Sequence, residues 1–324
     1  MKNSKVEICF IGNAIVDILS KISNETLNKL EIPKGSMQLV DEESSDKILK
    51  YIKDPSIISG GSAANTAVGF KSFGGTCSFI GQIGNDKFGD LFSNDLNNSG
   101  ILFKSKNFQS TDKTSKSIIL VTPDAERTMN TFLGASVRFN INSFDEKFII
   151  NSSMIYIEGY LFDQPEAKEA IFYCCNIAKS QNKKVALSLS DLFCVDRHRI
   201  DFLKLIDEYV DIIFANEEEI KSLYQSELKE SINNIKNNVD FGAITLGSKG
   251  SVVFENKLEY LVDPISVVEL VDTTGAGDLF AAGFLFGFFN KYSIEKCGHL
   301  GNKAASEIIK HVGARPKISL KEIL

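Results

Sequence analysis

Residues 271–287 read Val-Asp-Thr-Thr-Gly-Ala-Gly-Asp-Leu-Phe-Ala-Ala-Gly-Phe-Leu-Phe-Gly. Gly275 and Gly277 free the backbone just before a long apolar run, and Asp278 stands where that run would begin a helix. Backbone N–H groups at a helix N-terminus point outward with partial positive charge, so they suit an anion such as a phosphoryl group in transfer. A carboxylate beside them can take the proton of a hydroxyl nucleophile. An anion cradle and a base together suit phosphorylation of an alcohol. The plainer reading is a tight turn with Asp278 as a helix cap, and Gly-x-Gly-Asp by itself leaves both open. Two other phosphate motifs are excluded. Phe280 stands where a dinucleotide fingerprint needs its third glycine, and no Gly-Lys-Ser/Thr follows for a Walker loop.

Four further loops carry residues fit for a ligand. Asn13 and Asp17 follow the first apolar run and suit the paired hydroxyls of a sugar, or else Asp17 is a surface charge. Gly60-Gly61-Ser62-Ala63-Ala64-Asn65 lets the backbone approach a ligand, with Asn65 as donor and acceptor, or else it is a plain glycine turn. Glu219, three residues after Asn216, suits the water shell of Mg²⁺, which keeps several waters. Its neighbours Glu217 and Glu218 read as a solvated first helical turn. Thr245-Leu246-Gly247-Ser248-Lys249-Gly250 follows another strand.

The elements that must position these loops alternate. From Met154 onward short apolar strands (Met154–Glu158, Lys184–Ser188, Ile212–Ala215, Phe241–Leu246) alternate with helices (Pro165–Ser180, Arg197–Glu208, Glu217–Tyr224), and later helices are expected at Leu279–Phe289 and Leu300–Lys310. That rhythm predicts a mostly parallel sheet covered on both faces, with ligands beyond the carboxyl ends of its strands. Strands at 14–22, 36–40, 117–122 and 127–132 break the rhythm and are expected to form a small separate sheet, the last two as a hairpin around Pro123-Asp124-Ala125-Glu126. A helix is expected at Asp41–Tyr51, and polar residues 226–238 read as surface.

Bulk properties exclude several classes. A chain of 324 residues, 43% hydrophobic and 24% charged, is of ordinary globular composition and fits one large α/β domain. A net charge of −6 argues against a nucleic-acid-binding surface. The longest apolar run, Leu279–Phe289, is too short to span a bilayer, and the short run Ile8–Ile11 after Lys2 and Lys5, with Asp17 close behind, is not expected to be a signal peptide. Six cysteines without a Cys-x-x-Cys pair, and three histidines, argue against structural zinc and for a reducing cytoplasm.

The paired segments 60–89 (Gly-Gly-Ser-Ala-Ala-Asn-Thr-Ala…Gly-Gln-Ile-Gly-Asn-Asp-Lys-Phe-Gly) and 272–280 (Asp-Thr-Thr-Gly-Ala-Gly-Asp-Leu-Phe) resemble the two signatures of the ribokinase-like, PfkB-type sugar and nucleoside kinases. Asn-x-x-Glu at 216–219 and Thr-Leu-Gly-Ser-Lys-Gly at 245–250 match further family elements in order, so the resemblance covers essentially the whole chain. It implies one ribokinase-like domain over 1–324, a three-layer α/β/α sandwich with a mostly parallel central sheet, and a small β-sheet lid formed by approximately 14–40 and 114–133. It also implies Asp278 as base, with the N–H groups of Gly275, Ala276 and Gly277 as anion hole. Gly60, Gly61, Ser62 and Asn65 would line the acceptor; Asn216 and Glu219 would organise Mg²⁺ and phosphate through water. Thr245, Gly247 and Gly250 would line ATP, with Asn302 near the adenine, and Arg127 would reach the phosphates or remain an exposed charge.

Gly12–Ile18, Met37–Asp41, Leu187–Ser190 and Val210–Glu217 are similar to the adenosine kinase branch. In that branch the residues matching Asp17, Gln38, and Tyr160 or Phe162 hold ribose hydroxyls, lie near the base and stack on it. Stacking on an aromatic favours a purine over a bare sugar. Thr274, and Ala63 with Ala64, look more like the sugar kinases, some of which hold K⁺ near residues matching Asp272, Thr274 and Gly313. The resemblance thus implies ATP-dependent phosphorylation of a small alcohol, adenosine first and a sugar second, by a monomer or a lid-mediated homodimer, with a non-catalytic ligand-binding protein on the same scaffold as the last alternative.

Overall fold

The structure is a computed structural model, and it describes residues 5–105, 112–124 and 126–324. Lys2 and Ala125, read above from sequence, lie outside them. The first half of the chain runs β1 (Val6–Ile11), β2 (Ile15–Lys21), α1 (Asn24–Lys29), β3 (Met37–Leu39), α2 (Glu42–Leu49), β4 (Ser56–Ser59) and α3 (Ser62–Phe73). Next come β5 (Cys77–Ile80), α4 (Lys87–Asn98), β6 (Leu102–Phe103), β7 (Ser115–Val121) and β8 (Arg127–Phe132). After α5 (Lys147–Ile150) the chain alternates through β9 (Ser152–Glu158), α6 (Pro165–Ser180), β10 (Lys184–Ser188), α7 (Leu192–Tyr209), β11 (Ile212–Asn216), α8 (Glu217–Tyr224), α9 (Leu228–Ile235) and β12 (Phe241–Thr245). It ends with the antiparallel pair β13 (Ser251–Glu255) and β14 (Leu258–Val262), then α10 (Ala276–Phe289) and α11 (Ile294–Ile308).

The large sheet has the order β14-β13-β12-β11-β10-β9-β1-β5-β6, parallel from β12 to β6. Alternation along each strand builds the layers. Ile8 and Phe10 of β1, with Met154 and Tyr156 of β9, enter a core shared with α3, α4, α10 and α11. Cys9 and Ile11, with Ile155 and Ile157, enter the opposite core under α6, α7, α8 and α9. All six cysteines are buried in this framework. The helix α10 is buried nearly all round, which is why the sequence there shows an unbroken apolar run rather than an amphipathic stripe.

The smaller sheet has the order β3-β8-β7-β2-β4. It contains the expected early strands and also β4, whose two isoleucines were too short a run to announce a strand. The helices α1 and α2 cover one face: Ile22, Leu27, Leu30 and Ile48 pack with Ile118 and Leu120, and buried Lys116 reaches Asp46 at 2.7 Å. Three other expectations shift. The helix expected from Arg197 begins at Leu192, capped by Asp191 on the N–H of Cys194, and kinks at His198. The last helix begins at Ile294, capped by Ser293. The polar run 226–238, expected to lie on the surface, forms α9 and buries Ile232 and Ile235.

Candidate active site

The strand ends β1, β9, β10, β11 and β12 open on one side of the large sheet, and the chemistry-bearing loops gather there. Asp278 lies in the first turn of α10 but does not cap it: the N-cap is Gly275, in the left-handed region at φ 79°. A β-carbon there would fall 2.5 Å from the Ala314 side chain, so both conformation and space require glycine. The half-buried Asp278 carboxylate is held from α3, by the Ser62 hydroxyl at 2.6 Å on one oxygen and the Asn65 amide at 2.9 Å on the other. Burial pushes its carboxyl up to about 6, against those hydrogen bonds and the charge of Arg315. The Ala276 N–H bonds to the Thr273 carbonyl at 3.2 Å, whereas those of Gly275 and Gly277 donate to no atom among the described residues. Nothing within 4 Å crowds the position of Gly277.

Asp17, on β2, faces the same space. A β-carbon at Gly60 would fall 2.3 Å from its carboxylate, and one at Gly61 (φ 89°) would fall 2.3 Å from the Asn13 carbonyl, so the glycine pair is a close-approach site rather than a generic turn. Burial raises the Asp17 carboxyl to about 7, opposed by the charge of Arg315. Between these loops stands a residue that sequence reading missed. Glu158, at the end of β9 and 1% exposed, accepts from the backbone N–H of Asn13 at 2.7 Å and of Ala63 at 2.8 Å. Burial raises its carboxyl to about 7. Its signal was a lone acid closing an apolar strand. Arg315 was missed as well: a solitary arginine after the last helix gives no periodic signal.

Arg127 joins the small sheet to the loop that precedes α10. From β8 it pairs with Asp272 at 2.5 Å and donates to Thr274 Oγ1. It is therefore neither an exposed charge nor free for phosphates. Asp272 also accepts from the N–H of Gly313 at 2.8 Å and of Thr274 at 3.0 Å. Burial alone would raise its carboxyl, but these bonds and the guanidinium hold it below the ordinary range. The residues named for a monovalent cation are thus drawn together around a guanidinium.

On β11 and α8, Asn216 and Glu219 form a reciprocal capping box: Asn216 Oδ1 accepts from the Glu219 N–H, and both Glu219 oxygens accept from Asn216. Glu219 is 5% exposed, so it is not a solvated first-turn acid, and burial raises its carboxyl to about 7. Among the described residues no group of three or more His, Cys, Asp or Glu is placed to hold a metal. This donor set therefore fits Mg²⁺ only as an ion carried on phosphates and reached through water. Thr245 bonds weakly to the Ala215 carbonyl at 3.5 Å, Gly247 faces open space, and Gly250 (φ 89°) packs on the Val262 carbonyl. Asn302 is buried, with its amide nitrogen on the carbonyls of Val262 and Asp263, and braces that loop instead of offering its amide donors to a ligand.

Strand parity corrects one expected acceptor contact, and burial corrects another. Pairing aligns Leu39, Thr131, Ser117, Asp17 and Ile58 in one row, and Met37, Met129, Ile119, Leu19 and Ser56 in the next on the same face. This is the face of Asp17 and Arg127, turned to the large domain. Gln38 belongs to the other face, bonded to Asn130 at 2.7 Å, so Met37 and Leu39 are the residues presented inward. Phe162 is 1% exposed and stacks on Phe202 at 4.5 Å in the core, out of reach of a ligand. Half-buried Tyr160 follows Gly159 in the turn after β9, its hydroxyl on the Ser190 carbonyl at 3.3 Å.

Residues 35–321 match the family model described as pfkB family carbohydrate kinase. A probable sugar kinase from Rhizobium etli CFN 42 is 40% identical, with a TM-score of 0.91 over 99% of this chain and 98% of that one. The adenosine kinase from Sinorhizobium meliloti is 38% identical, with the same TM-score and the same shares of both chains. Among curated proteins, adenosine kinase from Dictyostelium discoideum is 27% identical over 96% of each chain.

Proposed function

The chain belongs to the pfkB carbohydrate kinase family, and on that premise we propose that it moves the γ-phosphoryl group of ATP to the 5′-hydroxyl of adenosine. The observation that carries adenosine over a bare sugar is the inner face of the small sheet. There the carboxylate of Asp17, suited to a vicinal diol, shares one face with Leu19, Ile119, Met129, Met37 and Leu39. A free pentose has no apolar face to lay on that surface, whereas a nucleoside has its base. The names of similar proteins include both adenosine and sugar kinases, so a sugar acceptor is the second reading.

In this reading the small sheet is a lid, and Arg127 latches it to the large domain. The Asp278 carboxylate, oriented by Ser62 and Asn65, takes the 5′-hydroxyl proton as the oxygen bonds to phosphorus; the bond to the bridging oxygen breaks and ADP leaves. The open N–H groups of Gly275 and Gly277, with the dipole of α10, stabilise charge on the moving group. Asn216 and Glu219 would hold water around Mg²⁺, which neutralises phosphate charge when bound. Arg127 already places a positive charge on Asp272, so the reading needs no K⁺. A coupled ADP-release assay over adenosine, inosine, ribose and fructose is the test. We expect the highest kcat/KM with adenosine; a higher value for ribose or fructose replaces the first reading by the second.

A further inference from the structure

We propose that Arg315 is a positioning residue of this reaction, a buried guanidinium that clamps the segments packed on the two active-site carboxylates and supplies those acids with a positive charge. The inference rests on the reading of Asp278 as base. Arg315 follows α11 in the loop that begins at Gly313, whose N–H is held by Asp272. Its Nε donates to the Ser59 carbonyl at 2.8 Å, and its Nη1 to the Ala64 carbonyl at 3.1 Å. Ser59 ends β4 and precedes Gly60, the residue packed on the Asp17 carboxylate. Ala64 lies between Ser62 and Asn65, which hold Asp278. One side chain therefore fixes the backbone beneath both acids, at the point where the small sheet joins α3.

The third nitrogen, Nη2, is buried and has no hydrogen-bond partner among the described residues. Its nearest charged neighbour is Asp95 of α4 at 3.9 Å, and that carboxylate is 43% exposed, so water answers much of its charge. Asp95 is the strongest charge acting on Arg315, followed by Asp17 and Asp278, so the guanidinium is shared between α4 and the site. The charged and titratable groups acting on Asp17 are Arg315, Asp278, Arg127 and Asp272, and Asp278 in turn acts on Tyr156, Glu158 and Tyr160. Among these, Arg315 favours the ionised form of both Asp17 and Asp278. An arginine suits the position because a guanidinium stays charged when buried and its planar fork matches two fixed carbonyls.

Two variants test the assignment, each read as the pH profile of kcat and kcat/KM with adenosine and ATP. Arg315→Gln removes the charge, and the acid limb of kcat/KM is expected to move up by about one pH unit. Arg315→Lys keeps the charge but loses the fork; its limb is expected to stay within about 0.3 unit while kcat falls about tenfold. A Gln variant that folds and keeps the wild-type limb overturns the proposal. So does a Lys variant whose limb moves, or whose limb and kcat both stay unchanged, and the Lys variant decides alone if the Gln variant does not fold. Failure of the underlying reading looks different: Asp278→Asn would then keep the wild-type turnover.

Discussion

Replacing Asp278 by Asn preserves one acceptor, for either Ser62 or Asn65, but removes the proton acceptor. Asp278→Asn is expected to lower kcat at least about a thousandfold while adenosine still binds, as read by the coupled assay and by calorimetry. The same carboxylate sets a pH signature. With its carboxyl raised to about 6 and that of Asp17 to about 7, the ionised forms are lost as pH falls through those values, so kcat/KM should be flat above about 7 and fall by at least about tenfold per unit below about 6. A limb near 4, the ordinary carboxylate range, would show that burial does not act on Asp278. The residue's type and place were legible because glycines before an apolar helix are a local signal. The alternative of a cap was a local signal too; Gly275 takes the cap, and what holds Asp278 instead is distant in sequence: the bonds from Ser62 and Asn65. Glu158 and Arg315 were illegible for the same reason. Each acts on backbone far along the chain, and neither sits in a pattern.

At the scale of elements, parity decides which side chains meet the acceptor. Met37 and Gln38 are neighbours on β3, yet they point to opposite faces. Met37→Glu places a charge on the apolar inner face and is expected to raise the adenosine KM at least about tenfold. Gln38→Ala loses the bond to Asn130 on the outer face and is expected to leave KM within about twofold while lowering the melting temperature. The reverse pattern in steady-state kinetics would show that the strand is shifted by one residue. A strand of three residues carries too little alternation for sequence to fix its face, and only the resemblance places Gln38 near the base. The longer strands β1 and β9 had enough, and their two-faced burial followed from their apolar runs.

For the whole molecule, the covering of the small sheet bears on assembly. Its outer face packs under α1 and α2, and its edge strands β3 and β4 are three and four residues long. The free edge left for a second copy is short, with Met37, Leu39 and Ile57 as its exposed apolar residues. From these short edges we predict the monomer of the two expected states: light scattering after size exclusion should give a mass near 35.8 kDa at micromolar concentration. A mass near twice that value would place the dimer contact elsewhere on the surface or require α1 and α2 to move.

The burial of all six cysteines has a practical consequence. Burial pushes the thiols of Cys9 and Cys297 up to about 12, and the other four are raised as well, so all six are poor nucleophiles while the chain is folded. An alkylating dye would pass over the native protein and react only as it unfolds, which makes labelling a direct counter of open molecules. A pair of cysteines introduced at the surface, one on each sheet, would then carry fluorophores without the native thiols being removed. The separation of the two sheets could be followed through a catalytic cycle in an otherwise unaltered chain.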